Sequence, residues 1–299
     1  MKSEIIVREN NRKYEEASPK GAAFLYENII GRVVLSLANK RFISGVVGKY
    51  MNSKYSIKHI EPFIKSNKLD MKDYPKVDYS SFNDFFSRKI INGKRVASNK
   101  NNDFISPADS KLLVYKIEED STFNIKGKKY TLERMLRDKK LASEYSNGYC
   151  LVFRLSVDDY HRYSYIDDGV FLREKKINGL LHTVGPIAFD RYKVFCENQR
   201  EYSVLKTKNF GQIVQMEVGA LMVGKIVNHN YKTFKRGDEK GYFLFGGSTV
   251  IILVKDGIVE IDNDILGNSR NSIETKIKAL ETIGKKIRSK KWLDLRKRF

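Results

Sequence analysis

The sequence predicts an α+β protein with a helical first third, an antiparallel β-rich body and a basic helix at its end. Three observations lead there. Apolar residues recur at helical spacing before about residue 91, short apolar runs broken by turn residues follow Asn99, and a periodic stretch rich in Lys and Arg begins at Asn271. The expected division is a helical region over residues 1–99 and a β-rich domain over residues 100–299.

In the first region Leu25, Ile29, Val33, Val34 and Leu37, then Phe42, Val46 and Val47, return at intervals of three and four, with Lys40, Arg41, Lys49 and Lys54 on the polar positions. Such helices pack on a domain or lie on a membrane surface. The leading MKSEIIVRENNRKYEE is charged from its start and lacks the apolar core of a signal peptide, and no run of 18 apolar residues occurs. The expectation is a chain neither secreted nor spanning, meeting a membrane only peripherally and from its cytoplasmic side.

The second region reads as strands: KLLVYKI, TFNIKG, GYCLVFRLSV, GVFLREKKI, REYSVLKT, GQIVQMEVGALMVGKIV and GYFLFGGSTVIILVKDGIVEI, to about Ile265. Residues 132–147, LERMLRDKKLASEYSN, read as a helix set between strands. Asn271, with Glu274 three residues on, signals a helix start, and Ile273, Ile277, Leu280, Ile283 and Ile287 continue it among many Lys and Arg.

Hydrophobic residues at 41% are enough for a sizeable core, and a formal net charge of +20 favours a polyanion, nucleic acid or an anionic lipid surface. Charge does not choose between them. Cys150 and Cys196 lack metal-ligand spacing and read as buried free thiols of a reducing compartment; no metal is expected.

Gly246, Gly247, Ser248 and Thr249 interrupt the run FLFGGSTVIILV where a plain strand would carry bulk. A bulge, a turn or a close backbone approach would account for that. The alternative is chemical: Ser248 attacks the carbonyl of Gly247, which has no Cβ to obstruct it, in an N-to-O acyl shift. A serine hydroxyl needs a base, and a base needs a group to orient it. Of the four histidines, His161 in LSVDDYHRYSYIDDG follows a strand and has acidic neighbours. His182 and His229 rank second, and His59 reads as structural. Asp109 in ISPADSKLLVY either turns the chain into a strand or orients the base.

Taken together, PADS (107–110), DYHRY (159–163), LHTVGPIA (181–188), ENQRE (197–201), VGALMVGKI (218–226) and GDEKGYFLFGGST (237–249) stand in the order and approximate spacing of phosphatidylserine decarboxylases, which residues 100–260 resemble. The helical region resembles that family's membrane-associated amino-terminal part. The resemblance implies a proenzyme that cleaves itself between Gly247 and Ser248 with Asp109, His161 and Ser248 as a triad, His182 and Thr249 being second-rank site residues. It implies that Ser248 becomes a pyruvoyl group, the sole cofactor, whose carbonyl takes the serine amine of the lipid as a Schiff base and accepts the electron pair when carbon dioxide leaves. The products are phosphatidylethanolamine and carbon dioxide. The partners implied are phosphatidylserine, an anionic membrane surface and, as a heterodimer open to further oligomerisation, the two chains 1–247 and 248–299. Two positions depart from the family pattern. Gly246 stands where Leu is common, and Ser164 stands where many members carry a second His, so that His161 serves both cleavage and substrate protonation or another residue, His182 first, takes one.

Three other classes compete with this reading. A pyruvoyl decarboxylase of a small amino acid would share the cleavage but has no need of a basic amphipathic region. A non-catalytic lipid-binding protein would keep its chain intact. A nucleic-acid binder would use its Tyr and Phe, 17 of each, for stacking, yet these sit in apolar strand patterns and no DNA or RNA motif emerges, so no nucleic acid is expected.

Overall fold

A computed structural model describes residues 2–17, 41–125, 127–184, 188, 192–220, 225–229, 231–246 and 248–287. Its centre is a ten-stranded sheet of order β13-β9-β10-β11-β15-β7-β4-β17-β1-β2. In chain order these strands are β1 (Lys2–Val7), β2 (Arg12–Ala17), β4 (Ser110–Lys116), β7 (Tyr149–Leu155), β9 (Gly169–Ile177), β10 (Arg200–Thr207), β11 (Gly211–Gly219), β13 (Thr233–Phe234), β15 (Ser248–Val254) and β17 (Glu274–Ile277). Only β1 and β17 pair in parallel, so the sheet is mixed, and the class is α+β as expected. The expected strands are present, and ladder register follows their alternation.

The two faces of the sheet are apolar and covered. One carries Cys150, Val152, Met216, Val218, Ile251 and Leu253, packed under Leu132, Met135, Leu136 and Tyr145. The other carries Leu151, Phe153, Leu155, Val250 and Ile252. It packs on Tyr163, Phe243 and Ile226 of a three-stranded sheet made of β8 (Arg162–Ser164), β12 (Ile226–Asn228) and β14 (Glu239–Phe243).

Three features differ from the sequence reading. Residues 132–147 form two helices, α4 (Leu132–Leu136) and α5 (Lys139–Ser143), because Arg137 turns left-handed at φ 47° and Asp138 caps the second through the Leu141 N–H at 2.9 Å. Residues 2–17, placed by the sequence within the helical region, form the β1/β2 hairpin on the sheet edge. The basic helix expected from Asn271 is absent from the described residues. Helix α7 (Asn263–Arg270) ends at Asn271, and the chain continues as β17 and β18 (Thr282–Lys286), which joins β3 (Asp103–Ile105) and β16 (Val259–Ile261). Ser272 at φ 59° and Leu280 at φ 68° break any helix there, and Ile277 and Ile283 instead face the core from strands. Residues 288–299, with the remaining basic positions, lie outside the described residues.

Before residue 91 the described part holds α1 (Arg41–Met51), a 3₁₀ turn (Lys54–His59), α2 (Ile60–Asn67) and α3 (Phe82–Phe86); Leu25 to Lys40 of the expected helical pattern lie outside it. No helix among the described residues is long and apolar enough to cross a membrane.

The expected capping role of Glu274 is replaced by a buried ion pair. Arg154 on β7 holds both its carboxylate oxygens at 2.7 Å, and the same guanidinium reaches Glu16 on β2 at 2.6 Å. Removing one partner of a buried pair costs about 3–5 kcal/mol. Since Glu16 would still neutralise Arg154, Glu274→Gln is expected near the low end, about 3 kcal/mol, read as a lowered urea midpoint with unchanged slope.

Candidate active site

Ser248 opens β15, the strand between β7 and β11, facing Leu155 on one side and Gly219 on the other. Residues opposite one another in an antiparallel ladder project to the same face. Ser248 therefore shares the face of Leu155 and Val250, the one covered by the β8/β12/β14 sheet, while Thr249 projects to the opposite face with Val218 and Arg154. Ser248 is 1% exposed and its Oγ has no hydrogen-bond partner. A buried hydroxyl without a partner is costly and uncommon. Before it, Gly246 has φ 140°, a conformation that favours glycine. Gly247 lies outside the described residues.

His161 stands one residue before β8 and is fully buried. Its Nδ1 lies 2.9 Å from the carbonyl oxygen of Asp159. A carbonyl can only accept, so the proton sits on Nδ1 and Nε2 is left as a bare acceptor, with no partner. Burial lowers the pKa of the ring to about 3 and keeps it neutral. The carbonyl that orients it is itself fixed: the Asp159 carboxylate accepts from Lys111 Nζ at 2.6 Å and from the Ser156 N–H at 2.8 Å. Burial alone would raise that carboxyl, and Lys111 overrides it to hold the pKa below the ordinary value.

Helix α3, SFNDFF with Ser81 as its cap, ties this histidine to the segment leading into Ser248. The Phe86 ring is 4.1 Å from the imidazole and 5.3 Å from Phe245. Asn83 Oδ1 accepts the Phe245 N–H at 2.9 Å, and the His161 carbonyl accepts from the Phe243 N–H at 2.9 Å. Asn83 and Phe86 were not among the residues singled out in the sequence; a capped five-residue helix with three Phe was the available signal.

Asp109 precedes β4, whose neighbourhood is joined to β8 by the Ser164 N–H on the Pro107 carbonyl at 2.9 Å. Its carboxylate accepts the Ala279 N–H at 2.6 Å and faces Arg95 at 3.3 Å, whereas the Nδ1 bond of His161 goes to the Asp159 backbone. Burial raises the Asp109 pKa, against the pull of Arg95.

His182 is hung beside Ser248 by a side chain. Asn198, fully buried, accepts the His182 N–H at 3.0 Å and donates through Nδ2 to the carbonyls of His182 and Gly219 at 2.7 Å each, Gly219 being the ladder partner of Ser248. The imidazole stacks on Tyr192 at 3.9 Å, and burial lowers its pKa. His59 meets the Tyr50 hydroxyl at 2.9 Å and His229 meets Glu239 at 2.8 Å. Both cysteines are buried and free, and no group of three metal-ligating side chains occurs among the described residues.

The family model for phosphatidylserine decarboxylase matches residues 82–285. The chain is 56% identical over 273 residues to phosphatidylserine decarboxylase proenzyme 2 of Clostridium acetobutylicum, covering 91% of this chain and 94% of that one. It is 42% identical over 281 residues to the phosphatidylserine decarboxylase proenzyme of Fusobacterium nucleatum, covering 91% and 93%. Against the proenzyme of Clostridium tetani it is 43% identical over 260 residues, 85% and 88% of the two chains. A buried strand-end serine and a buried, neutral histidine thus occur in an enzyme of the carboxy-lyase class. The chain belongs to the phosphatidylserine decarboxylase family.

Proposed function

We propose that this chain is a proenzyme that cuts itself between Gly247 and Ser248, and that the pyruvoyl group so made decarboxylates phosphatidylserine to phosphatidylethanolamine. One observation carries the reading: Ser248 Oγ, buried and without a partner, projects to the face of the sheet that the β8/β12/β14 sheet covers, and His161, one residue before β8, offers a neutral, bare Nε2.

His161 takes the Oγ proton as Oγ bonds to the Gly247 carbonyl carbon. The C–N bond then breaks, nitrogen receives the proton, and an ester remains. Loss of the Ser248 Cα proton expels Gly247 as a carboxylate and leaves a dehydroalanine. Water replaces its nitrogen, releasing ammonia. A pyruvoyl carbonyl at the head of residues 248–299 supplies the electron sink that decarboxylation of an amino acid requires. The β8/β12/β14 sheet covers this face and excludes water from it, and His161 or His182 delivers the proton that replaces carbon dioxide.

Asp109 is the third member of the proposed triad, acting on the base by charge and not by a hydrogen bond, since His161 Nδ1 bonds the Asp159 carbonyl and the Asp109 carboxylate faces Arg95 and the Ala279 N–H. Asp109→Asn keeps the acceptor for the Ala279 N–H but removes the charge facing Arg95, and it should slow processing by about 10²-fold or more. The appearance of the small chain with time on a denaturing gel measures this; normal processing would remove Asp109 from the triad.

The same reading places the protein peripherally on a membrane, from the cytoplasmic side, with residues 100–299 as catalytic domain. Val46, Tyr50, Tyr55 and Ile57 are exposed on α1 and the 3₁₀ turn, among Lys49, Lys54 and Lys58, a combination suited to an anionic surface. Intact mass together with carbon dioxide release from phosphatidylserine liposomes and from free serine tests the whole proposal. Two chains, the smaller blocked at its amino end, and release from the liposomes are expected. Release from free serine alone would leave a decarboxylase of a small amino acid instead.

A further inference from the structure

Arg88 is a buried cation with no acid beside it. The residue is 4% exposed, and among the described residues no carboxylate pairs with it. Its guanidinium carbon lies 4.3 Å from the ring centre of Tyr74 and 4.9 Å from that of Phe85; one terminal nitrogen reaches the Phe85 carbonyl at 3.4 Å, and Nε meets nothing. Aromatic faces and a long neutral hydrogen bond compensate a buried charge only in part. A fold that keeps such a group has a use for it when an anion arrives.

The position of Arg88 says where that anion would be. It lies two residues beyond Phe86, whose ring packs on both His161 and Phe245, and its positive charge is among those that lower the pKa of His161. On its other side the Tyr74 ring is 6.2 Å from Tyr160, which with Lys89, Arg95 and Arg162 lines a cavity of about 280 Å³. The carboxylate in that wall, Glu239, is already held by Arg162 at 2.7 Å and His229 at 2.8 Å.

Resting on the function proposed above, we infer that Arg88 receives the phosphodiester of the phosphatidylserine headgroup and so selects the lipid headgroup over a free amino acid. The headgroup carries a second anion, its carboxylate, but an arginine on that group would stabilise the charge that must be given up as carbon dioxide departs, and would raise the barrier. The phosphodiester keeps its charge from binding to release. A contact to it lowers KM and leaves kcat alone.

The test compares wild type, Arg88→Gln and Arg88→Lys, each first shown by mass to consist of two chains, on glycerophosphoserine and free serine. For Arg88→Gln the KM for glycerophosphoserine should rise about tenfold or more with kcat within about twofold, and the ratio of kcat/KM between the two substrates should fall with it. Arg88→Lys, keeping charge without the guanidinium fork, should lie between. A loss in kcat at unchanged KM, or equal losses on both substrates, overturns the assignment. So does unchanged kinetics with a processed Arg88→Gln enzyme that melts earlier than wild type, which would give Arg88 to the carboxylate that Gly247 acquires on cleavage. If neither variant is processed, inorganic phosphate is added to wild type: competition with glycerophosphoserine is expected, and its absence overturns the assignment. A fully processed wild-type enzyme inactive on phosphatidylserine vesicles and on glycerophosphoserine sinks the proposed function itself, and is told apart by that.

Discussion

Ser248→Ala should yield one unbroken chain of 299 residues with no decarboxylase activity. The substitution removes the sole hydroxyl that projects from this strand end to the His161 side, since Thr249 projects to the other face of the sheet. The fold should not suffer. Ser248 Oγ is buried and unpartnered, so deleting it removes an unsatisfied polar group and is neutral or stabilising, by up to about 1–3 kcal/mol. Loss of chemistry with retained or raised melting temperature therefore separates the nucleophile from a structural serine. Two chains in the variant, by intact mass, would end the self-cleavage reading.

His161→Ala should block processing nearly as completely, by about 10⁴-fold or more if the base acts as in other serine nucleophiles. The pH dependence distinguishes a neutral buried base from an ordinary one. With its pKa lowered to about 3 by burial, His161 is neutral throughout the physiological range, so it should add no titration step to the processing rate near its ordinary value of 6.5. Stability follows the same shift. The unfolded chain takes up a proton below about 6.5 that the folded chain refuses until about 3, so this residue costs stability progressively as pH falls through that window and nothing above it. Denaturant unfolding of wild type and His161→Phe between pH 4 and 7 measures it; parallel curves would mean the ring is charged in the fold.

Much of the β-rich body was legible because each strand alternates or runs apolar between Gly, Asn and Asp turns, and Ser248 and His161 stood out because both stand at strand ends in short polar breaks. The amino-terminal hairpin was missed because its residues are mostly charged on an edge, although Asn10 and Asn11, the latter at φ 54°, mark its turn. The carboxy-terminal helix was misread because apolar residues at intervals of three and four (Ile273, Ile277, Leu280, Ile283, Ile287) fit helix and interrupted strands alike, and the turns at Ser272 and Leu280 use residues that seldom take positive φ. Asn83, Phe86, Arg88 and Asn198 escaped for another reason. Their work is done across the chain, Asn83 holding Phe245 from 162 residues away, and no local pattern records such a partner.

The order of strands has a consequence for the life of the enzyme. β15 lies between β11 and β7, and β17 between β4 and β1, so the segment from Ser248 onward supplies two inner strands of the ten-stranded sheet rather than an appendage. Withdrawing them would split the sheet in three. On the proposed cleavage, the peptide is woven in before it is cut and maturation is a one-way step: fragments made separately should not find their places, and a subunit once matured should never exchange its short chain with a neighbour.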